Sequence, residues 1–551
     1  MAGTKRAGVY TIRKNGGKLD SYMLYALKEL KKVTDALLVI AEDRELCGSA
    51  QETLKSLADQ VITAEEADFP QWQLLRPFFQ KYGTDCREAV FLDSDVFGPF
   101  WNLEEFLISE KRQNADFFGI KTDKPGRLES WFWTVSESLL NEDAWRKLSG
   151  CARREGISRK RLQNAEISAG SVRYENLRDY PKYSIEKQKC LFWPVSFFQE
   201  PYGDILDRHS GEAIPQGMEF LKKHSTYDTD MIWEHLLRIM NMADLKKVMQ
   251  CNYVLSSRTL RKKERNRKLK IALILHIYYD DLAPVCRKYA ESMPEGTDVY
   301  VTAPNEEKME KVKAAFEDFP YHTEFRIVGN VGRDVGPFIV GCKDIVFHYD
   351  LICKMHDKRV FQVIPMSVGE SWSYKCFESM LKNKIYVENV ISVFEDNPRL
   401  GMLAPPPPMH GPYYATVGFG EWSINYGVAE KLAGDLGLTV PMEPDKEPVA
   451  PLGSMFWFRP ESLKCLFAHD WTYEELPREP IASDCTILHA IERIYPFCMQ
   501  QEGYYCGWTM ADTYARIEVN NWRYYNGELG RAYAHKVVPS SYKEFLEQIR
   551  Q

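Results

Sequence analysis

The sequence predicts an α/β protein built as two tandem domains, each a mainly parallel sheet flanked by helices. Three observations carry this reading. At 551 residues the chain is longer than one core accommodates. Short apolar runs of strand length alternate with segments of helical period. The order of those elements in the first half recurs from Ile271 onward.

The elements follow in order. Ala7-Gly-Val-Tyr-Thr-Ile12 reads as a strand. Lys18 to Lys32 is an amphipathic helix with Met23, Leu24, Leu27 and Leu30 at helical spacing. Ala36-Leu-Leu-Val-Ile-Ala41 is a buried strand, Gln51 to Asp59 a second helix and Gln60-Val-Ile-Thr63 a short strand. This alternation implies a parallel sheet covered on both faces. A helix runs to Tyr82, and Arg87-Glu-Ala-Val-Phe-Leu92 is a strand ending in Asp93-Ser-Asp95. Asp116–Ile120 and Glu129–Trp133 read as further strands.

The second half repeats the pattern. Ile271–His276, Asp298–Thr302 and Phe325–Val328 are strands separated by helices at Asp281–Tyr289 and Glu306–Phe316. The fourth strand arrives at Lys354-Met-His-Asp-Lys358. Val9 and Asp93 lie 84 residues apart, Leu273 and His356 83. Ser130-Trp-Phe-Trp133 matches Ser454-Met-Phe-Trp457, and the helix carrying His235 matches that carrying His489. The halves read as a diverged duplication, with domains at 1–256 and 271–551 and a basic linker at 257–270. That linker suits solvent, or the anionic inner membrane face, where each basic residue contributes about 1 kcal/mol. Pro405–Pro408 reads as a loop brace.

Composition narrows the function classes. Net charge is −7, so no global cationic field argues for nucleic acid. The start carries no secretory leader, and no apolar run reaches the roughly 18 residues of a membrane span. Thirteen cysteines without a Cys-x-x-Cys pair suit a reducing cytoplasm. A Walker loop, a Gly-x-Ser-x-Gly elbow, His-Glu-x-x-His and Gly-x-Gly-x-x-Gly are all absent from the sequence, against ATPases, α/β-hydrolases, zinc proteases and dinucleotide oxidoreductases.

Two strand ends carry the chemistry. Asp93 and Asp95 can jointly hold a divalent cation (Mg or Mn) that neutralises a diphosphate, or they serve a turn or helix start. In the second half Lys354 and Lys358 hold a diphosphate with fixed charge instead. Asn330, Gly332 and Arg333 form a loop beside them, and Arg333 offers bidentate contacts to phosphate. Asp334 holds a sugar hydroxyl or buttresses Arg333. His356 is a general base, a hydrogen bond to a sugar hydroxyl, or structural. Gly453 and Ser454 line the pocket. Asp484 is either the N-cap of the helix carrying His489 or a carboxylate that deprotonates the acceptor hydroxyl.

Asn330-x-Gly-Arg-Asp-x-x-Pro-Phe338, Lys354-x-His-x-Lys358, Gly453-Ser-Met-Phe-Trp457 and Asp484 with Leu488-His-Ala-Ile-Glu-Arg493 resemble the rhamnan synthesis F family of bacterial cell-wall polysaccharide assembly. Tyr22–Leu30, Val96-Phe-Gly-Pro99 and Asp116-Phe-Phe-Gly119 extend the likeness into the first half. Ala67-Asp-Phe-Pro-Gln71 and Asp93-Ser-Asp95 depart from the family pattern there. The resemblance implies two glycosyltransferase-A-like, nucleotide-diphospho-sugar-binding domains. It also implies an inverting transfer of rhamnose from a nucleotide-diphosphate donor such as dTDP-rhamnose to a lipid-linked glycan acceptor on the cytoplasmic face. A non-catalytic glycan-binding or assembly protein, or a phosphotransferase acting on the same polysaccharide, are the competing readings.

Overall fold

A computed structural model describes residues 5–83, 85–109, 115–122, 125–153, 156–261, 269–359, 366–407, 422–482 and 484–534, with 544 and 547. Contacts divide the chain into two units, the first extending to Leu236 and the second beginning at Leu237. The division therefore falls upstream of 256, and the strand Asn252–Leu255 belongs to the second unit's sheet. Residues 262–268 of the basic segment and Pro408 lie outside the described residues.

The first unit is a seven-stranded sheet. Across it run Ala169–Arg173, Phe117–Lys121, Phe132–Ser136, Glu88–Asp93, Arg6–Ile12, Ala36–Ala41 and Gln60–Thr63. All neighbours pair in parallel except Phe132–Ser136, which is antiparallel to both its neighbours. Every residue of Ala36–Ala41 is buried, as a parallel strand covered on both faces requires. The helix Ser21–Lys32 turns Tyr22, Met23, Ala26, Leu27 and Leu30 inward and places Lys31 and Lys32 in its last turn, where cations suit the helix dipole.

The second unit is an eight-stranded sheet in the order Asn252–Leu255, Tyr505–Ala511, Leu400–Ala404, Phe456–Phe458, Leu351–His356, Ile271–His276, Asp298–Ala303 and Thr323–Ile327. Again one strand, Phe456–Phe458, is antiparallel to both neighbours, and it lies beside the strand that ends in the charged cluster. The two sheets thus share a core arrangement: three parallel strands, the strand bearing the site, then the reversed strand.

Registers align the two strand ends. Thr11 pairs with Asp93, and His276 with His356. The next residue then donates back across the pair: Ser94 N to the Thr11 carbonyl at 2.9 Å, Asp357 N to the His276 carbonyl at 3.0 Å. Its side chain accepts from the loop after the first strand, Ser94 Oγ from Arg13 N and Asp357 Oδ2 from Tyr279 N. Asp93 and His356 are therefore equivalent. Trp133 faces Phe91, and Phe456 faces Lys354. The match of Ser130–Trp133 with Ser454–Trp457 is consequently one residue out of register. The expected strand Glu129–Trp133 also starts later, at Phe132. Glu129 is buried as an acceptor for Thr122 Oγ1 and Trp131 Nε1, which turns the chain before the ladder begins.

Trp133 organises the first unit's core. Its ring stacks on Phe91 at 3.8 Å between centroids, with Phe69, Phe117 and Trp145 around it. Replacing Trp133 with Ala removes that stack and leaves a cavity in a close-packed core. Denaturant unfolding of Trp133→Ala is expected to show a loss of roughly 3–5 kcal/mol.

Candidate functional site

The second unit's cluster starts with a turn that only small residues allow. Gly332 has φ +75°, and a Cβ there would meet Leu476 Cδ1 at 2.7 Å and Gly336 N at 3.1 Å. Its amide donates to the Pro477 carbonyl. Arg333 also sits in the left-handed region, at φ +48°. Its Nε donates to Glu479 Oε1 at 2.9 Å and its Nη2 to the Ile481 carbonyl at 3.3 Å. Asn330 is exposed at the edge of this loop.

The turn delivers Asp334 to the strand end. Lys354 Nζ donates to Asp334 Oδ2 at 3.2 Å and to the Ser454 carbonyl at 2.7 Å. Lys354 is only 2 % exposed, so both bonds are shielded from water. The His356 ring lies between two carbonyls, Nδ1 at 2.5 Å from that of Asp357 and Nε2 at 2.7 Å from that of Gly453. Asp334 Oδ2 is 3.8 Å from His356 Nε2. Burial alone would raise the Asp334 carboxyl, but His356, Lys354 and Lys358 together hold it well below the ordinary carboxylate range. Burial lowers the pKa of Lys354 and of His356, and Asp334 opposes that in each case.

Gly453 and Ser454 both have positive φ, +97° and +52°. Lys354 and His356 grip their carbonyls, and Glu492 Oε1 accepts from Gly453 N at 2.7 Å and Ser454 Oγ at 3.4 Å. Lys354 and His356 are thus engaged in holding this turn in a conformation L-residues rarely adopt. Lys358 is placed differently: it is half-buried, with Nζ 4.1 Å from the centre of the Trp372 ring.

Asp484 does not cap the following helix. That helix spans Ile487–Gln501 and its N-cap is Thr486, whose Oγ1 meets His489 Nδ1 at 2.8 Å. Asp484 instead accepts from Ser423 Oγ at 2.6 Å and Asn425 Nδ2 at 2.5 Å. These donors and the Cys485 amide hold its carboxyl below the ordinary range, against its partial burial. Burial lowers His489, while Glu492 and Asp484 pull it back. Asp334, Arg333, Lys354, His356, Lys358, Ser454, Asp484 and His489 thus gather at the carboxyl ends of parallel strands, where open α/β sheets bind ligands.

Sequence reasoning missed several partners. Glu492 was legible: it lies three residues after His489 on one helix, so both share a face. Glu479, Trp372 and Asn425 come from separate segments, and no local spacing points to them. The linker's start is pinned: Asn389 accepts from Arg261 N and donates to the Ser256 and Thr259 carbonyls. The Pro407 carbonyl takes a bond from buried Lys375, consistent with a brace.

The first unit's strand end is built differently. Asp93 is buried, and its Oδ2 accepts from Arg13 Nε at 2.7 Å and lies 2.6 Å from Arg13 Nη2. Its Oδ1 accepts from Asp95 N at 3.0 Å. Asp95 is exposed. Burial and the Asp95 charge push Asp93 up to about 7, against the pull of Arg13. Among the described residues no group of three or more His, Cys, Asp or Glu side chains is placed to hold a metal ion. The Arg13 guanidinium thus occupies the buried carboxylate of Asp93.

Fold and site together define an open-sheet α/β protein with a repeated strand-end site, cation-lined in its second copy. The chain belongs to the rhamnan synthesis protein F family, whose description matches residues 160–504, more than half of its length. A relative in Xanthomonas campestris pv. campestris (strain B100), the uncharacterized protein WxcX, is 26 % identical over 176 residues, 32 % of this chain and 24 % of that protein. The match thus spans about a quarter of that relative. Among solved structures, the glycosyltransferase GlyE of Streptococcus pneumoniae TIGR4 is 14 % identical, over 65 % of this chain and 88 % of that one, with a TM-score of 0.23. Glucosyl-3-phosphoglycerate synthase from Mycobacterium tuberculosis, in complex with Mn2+, UDP and glucosyl-3-phosphoglycerate, is 13 % identical over 31 % and 70 %, with a TM-score of 0.21. The fold assigned above rests on the sheet order itself.

The two lysines separate by experiment. Lys354→Met leaves Asp334 without its buried partner and is expected to cost about 3–5 kcal/mol of stability. Lys358→Met, over an aromatic face, should cost less than about 1 kcal/mol. Urea unfolding of both variants checks the order. A second expectation concerns His276, which is buried, bonded to Thr302 Oγ1 at 2.9 Å and lowered to about 3 by burial beside His356. It is neutral when folded and takes a proton near pH 6.5 when unfolded. Its contribution to stability is therefore lost as pH falls from 6.5 toward 3, at up to about 1.4 kcal/mol per pH unit. Unfolding of His276→Asn at stepped pH should lack that part of the acid slope.

Proposed function

We propose that the chain is a glycosyltransferase that moves a sugar from a nucleotide-diphosphate donor to a glycan acceptor. The observation that carries this reading is the charged cluster at the strand ends of the unit that the rhamnan synthesis family match largely covers. Family membership favours rhamnose as the sugar and dTDP-rhamnose as the donor, with a lipid-linked polysaccharide as acceptor at the cytoplasmic membrane face. No helix among the described residues is long and apolar enough to cross a membrane.

The residues take distinct roles in this reading. Lys358 and Arg333 meet the diphosphate, Arg333 exchanging its bond to Glu479 for a bidentate phosphate contact. Lys354 and His356 are positioning residues that fix the Gly453–Ser454 turn. Asp334 keeps the charge of that pair balanced and faces the donor's hydroxyls. Asp484, held ionised by Ser423 and Asn425, takes the acceptor hydroxyl's proton as that oxygen attacks the anomeric carbon. The C–O bond to the diphosphate breaks on the opposite face, which gives inversion.

The test is donor turnover by the purified chain across nucleotide-sugars, with a glycan acceptor supplied. Asp484→Asn is expected to lower kcat by about 10²–10⁴-fold with little change in stability. Lys358→Met should raise the donor KM. Full turnover in both variants would remove the assignment. Absence of turnover with every donor, together with retained glycan binding, would favour the assembly-protein reading instead.

A further inference from the structure

We infer that Arg13 occupies a cation's place at the first unit's strand end, so that Asp93 and Asp95 take no divalent metal. This holds whatever group the chain transfers. Arg13 is the first residue after the strand Arg6–Ile12, and its amide is fixed by Ser94 Oγ at 2.9 Å. Its guanidinium then spans two strand ends. Nε and Nη2 meet Asp93, while Nη1 donates to Glu42 Oε2 at 2.7 Å and to the Ala67 carbonyl at 2.9 Å. Glu42 and Asp93 are both buried.

A divalent cation at this point would have to gather oxygens at roughly 2.0–2.6 Å. Asp93 Oδ2 already takes two contacts from the guanidinium, and Oδ1 takes the Asp95 amide. A second positive charge beside Arg13 would also be repelled by the guanidinium. Arg13 does part of what a divalent metal would do for two buried carboxylates: it brings one positive charge to both and bridges the strands that bear them. The second unit follows the same rule with other residues. His356 stands where Asp93 stands, and Lys354 and Lys358 bring the charge. At both strand ends, the cations that meet the carboxylates are side chains.

The test uses the full chain and manganese alone. Electron paramagnetic resonance of added MnCl2 should keep the free-ion signal with the wild-type chain, and the thermal midpoint should not move from micromolar to millimolar metal. Arg13→Gln, with Glu42 and Asp93 left facing each other, is expected to gain a midpoint that rises with Mn2+, as binding to the folded state requires. Arg13→Lys keeps a cation in place and should remain insensitive. Stoichiometric Mn2+ on the wild-type chain that Asp93→Asn or Asp95→Asn abolishes would overturn the inference. So would an Arg13→Gln chain that folds and ignores Mn2+. If Arg13→Gln folds neither with nor without metal, the wild-type and Arg13→Lys titrations decide.

Discussion

One ammonium group ties the second unit's site together. Lys354 reaches from a fully buried strand to a carboxylate on one side and a backbone carbonyl on the other. A lysine buried to this degree is costly unless its charge is met, and Asp334 meets it. Much of the site's shape follows from this. Asp334 must stay ionised to balance Lys354. The Ser454 carbonyl must point inward to complete the ammonium's shell. Gly453 and Ser454 must then adopt positive φ, and Glu492 secures the amide that this rotation exposes. The Lys354 charge is met on both sides, by Asp334 and by the Ser454 carbonyl.

The first unit solves the same problem with opposite signs. There the strand-end position holds a carboxylate, and the cation comes from the neighbouring strand's loop. Sheet order, the reversed strand and the hydrogen bonds after Thr11 and His276 agree between the halves, while the charged groups were exchanged. The two units share this backbone frame and differ in the side chains at its rim. Site chemistry rides on such a frame without altering it.

Much of this frame was legible in the sequence. Apolar runs such as Ala36–Ala41 and Ile271–His276 declare buried parallel strands, and element order with spacing puts Asp93 and His356 at matching strand ends. The loop residues Arg333, Asp334 and Asp484 were drawn to one site by the motifs around them. What remained hidden depends on side-chain reach. Nothing local says that Lys354 is sealed by Ser454 while Lys358, four residues on, lies half-open over Trp372. Nothing near Asp93 names Arg13, 80 residues away in sequence, as its partner. The aromatic strings Ser130–Trp133 and Ser454–Trp457 match by letters one residue out of step with the ladder. The ladder is aligned by hydrogen bonds, and buried Glu129 shifts where that ladder starts.

The reversed strand has a temporal consequence. Lys354 and Ser454 are 100 residues apart, and Gly453 needs Glu492 a further 39 residues on. The site therefore cannot close until the chain has been made well past the strand that carries its lysine. During synthesis, Leu351–His356 can pair with Ile271–His276 early, because both come first. Lys354 would then wait with its charge unmet until Phe456–Phe458 arrives. The entropy of closing so long a loop grows only with the logarithm of its length, which explains how the intervening segment could lengthen in one half without preventing closure. A nascent chain halted before residue 456 could pair only the four strands Leu351–His356, Ile271–His276, Asp298–Ala303 and Thr323–Ile327, with an open, hydrated lysine at their edge.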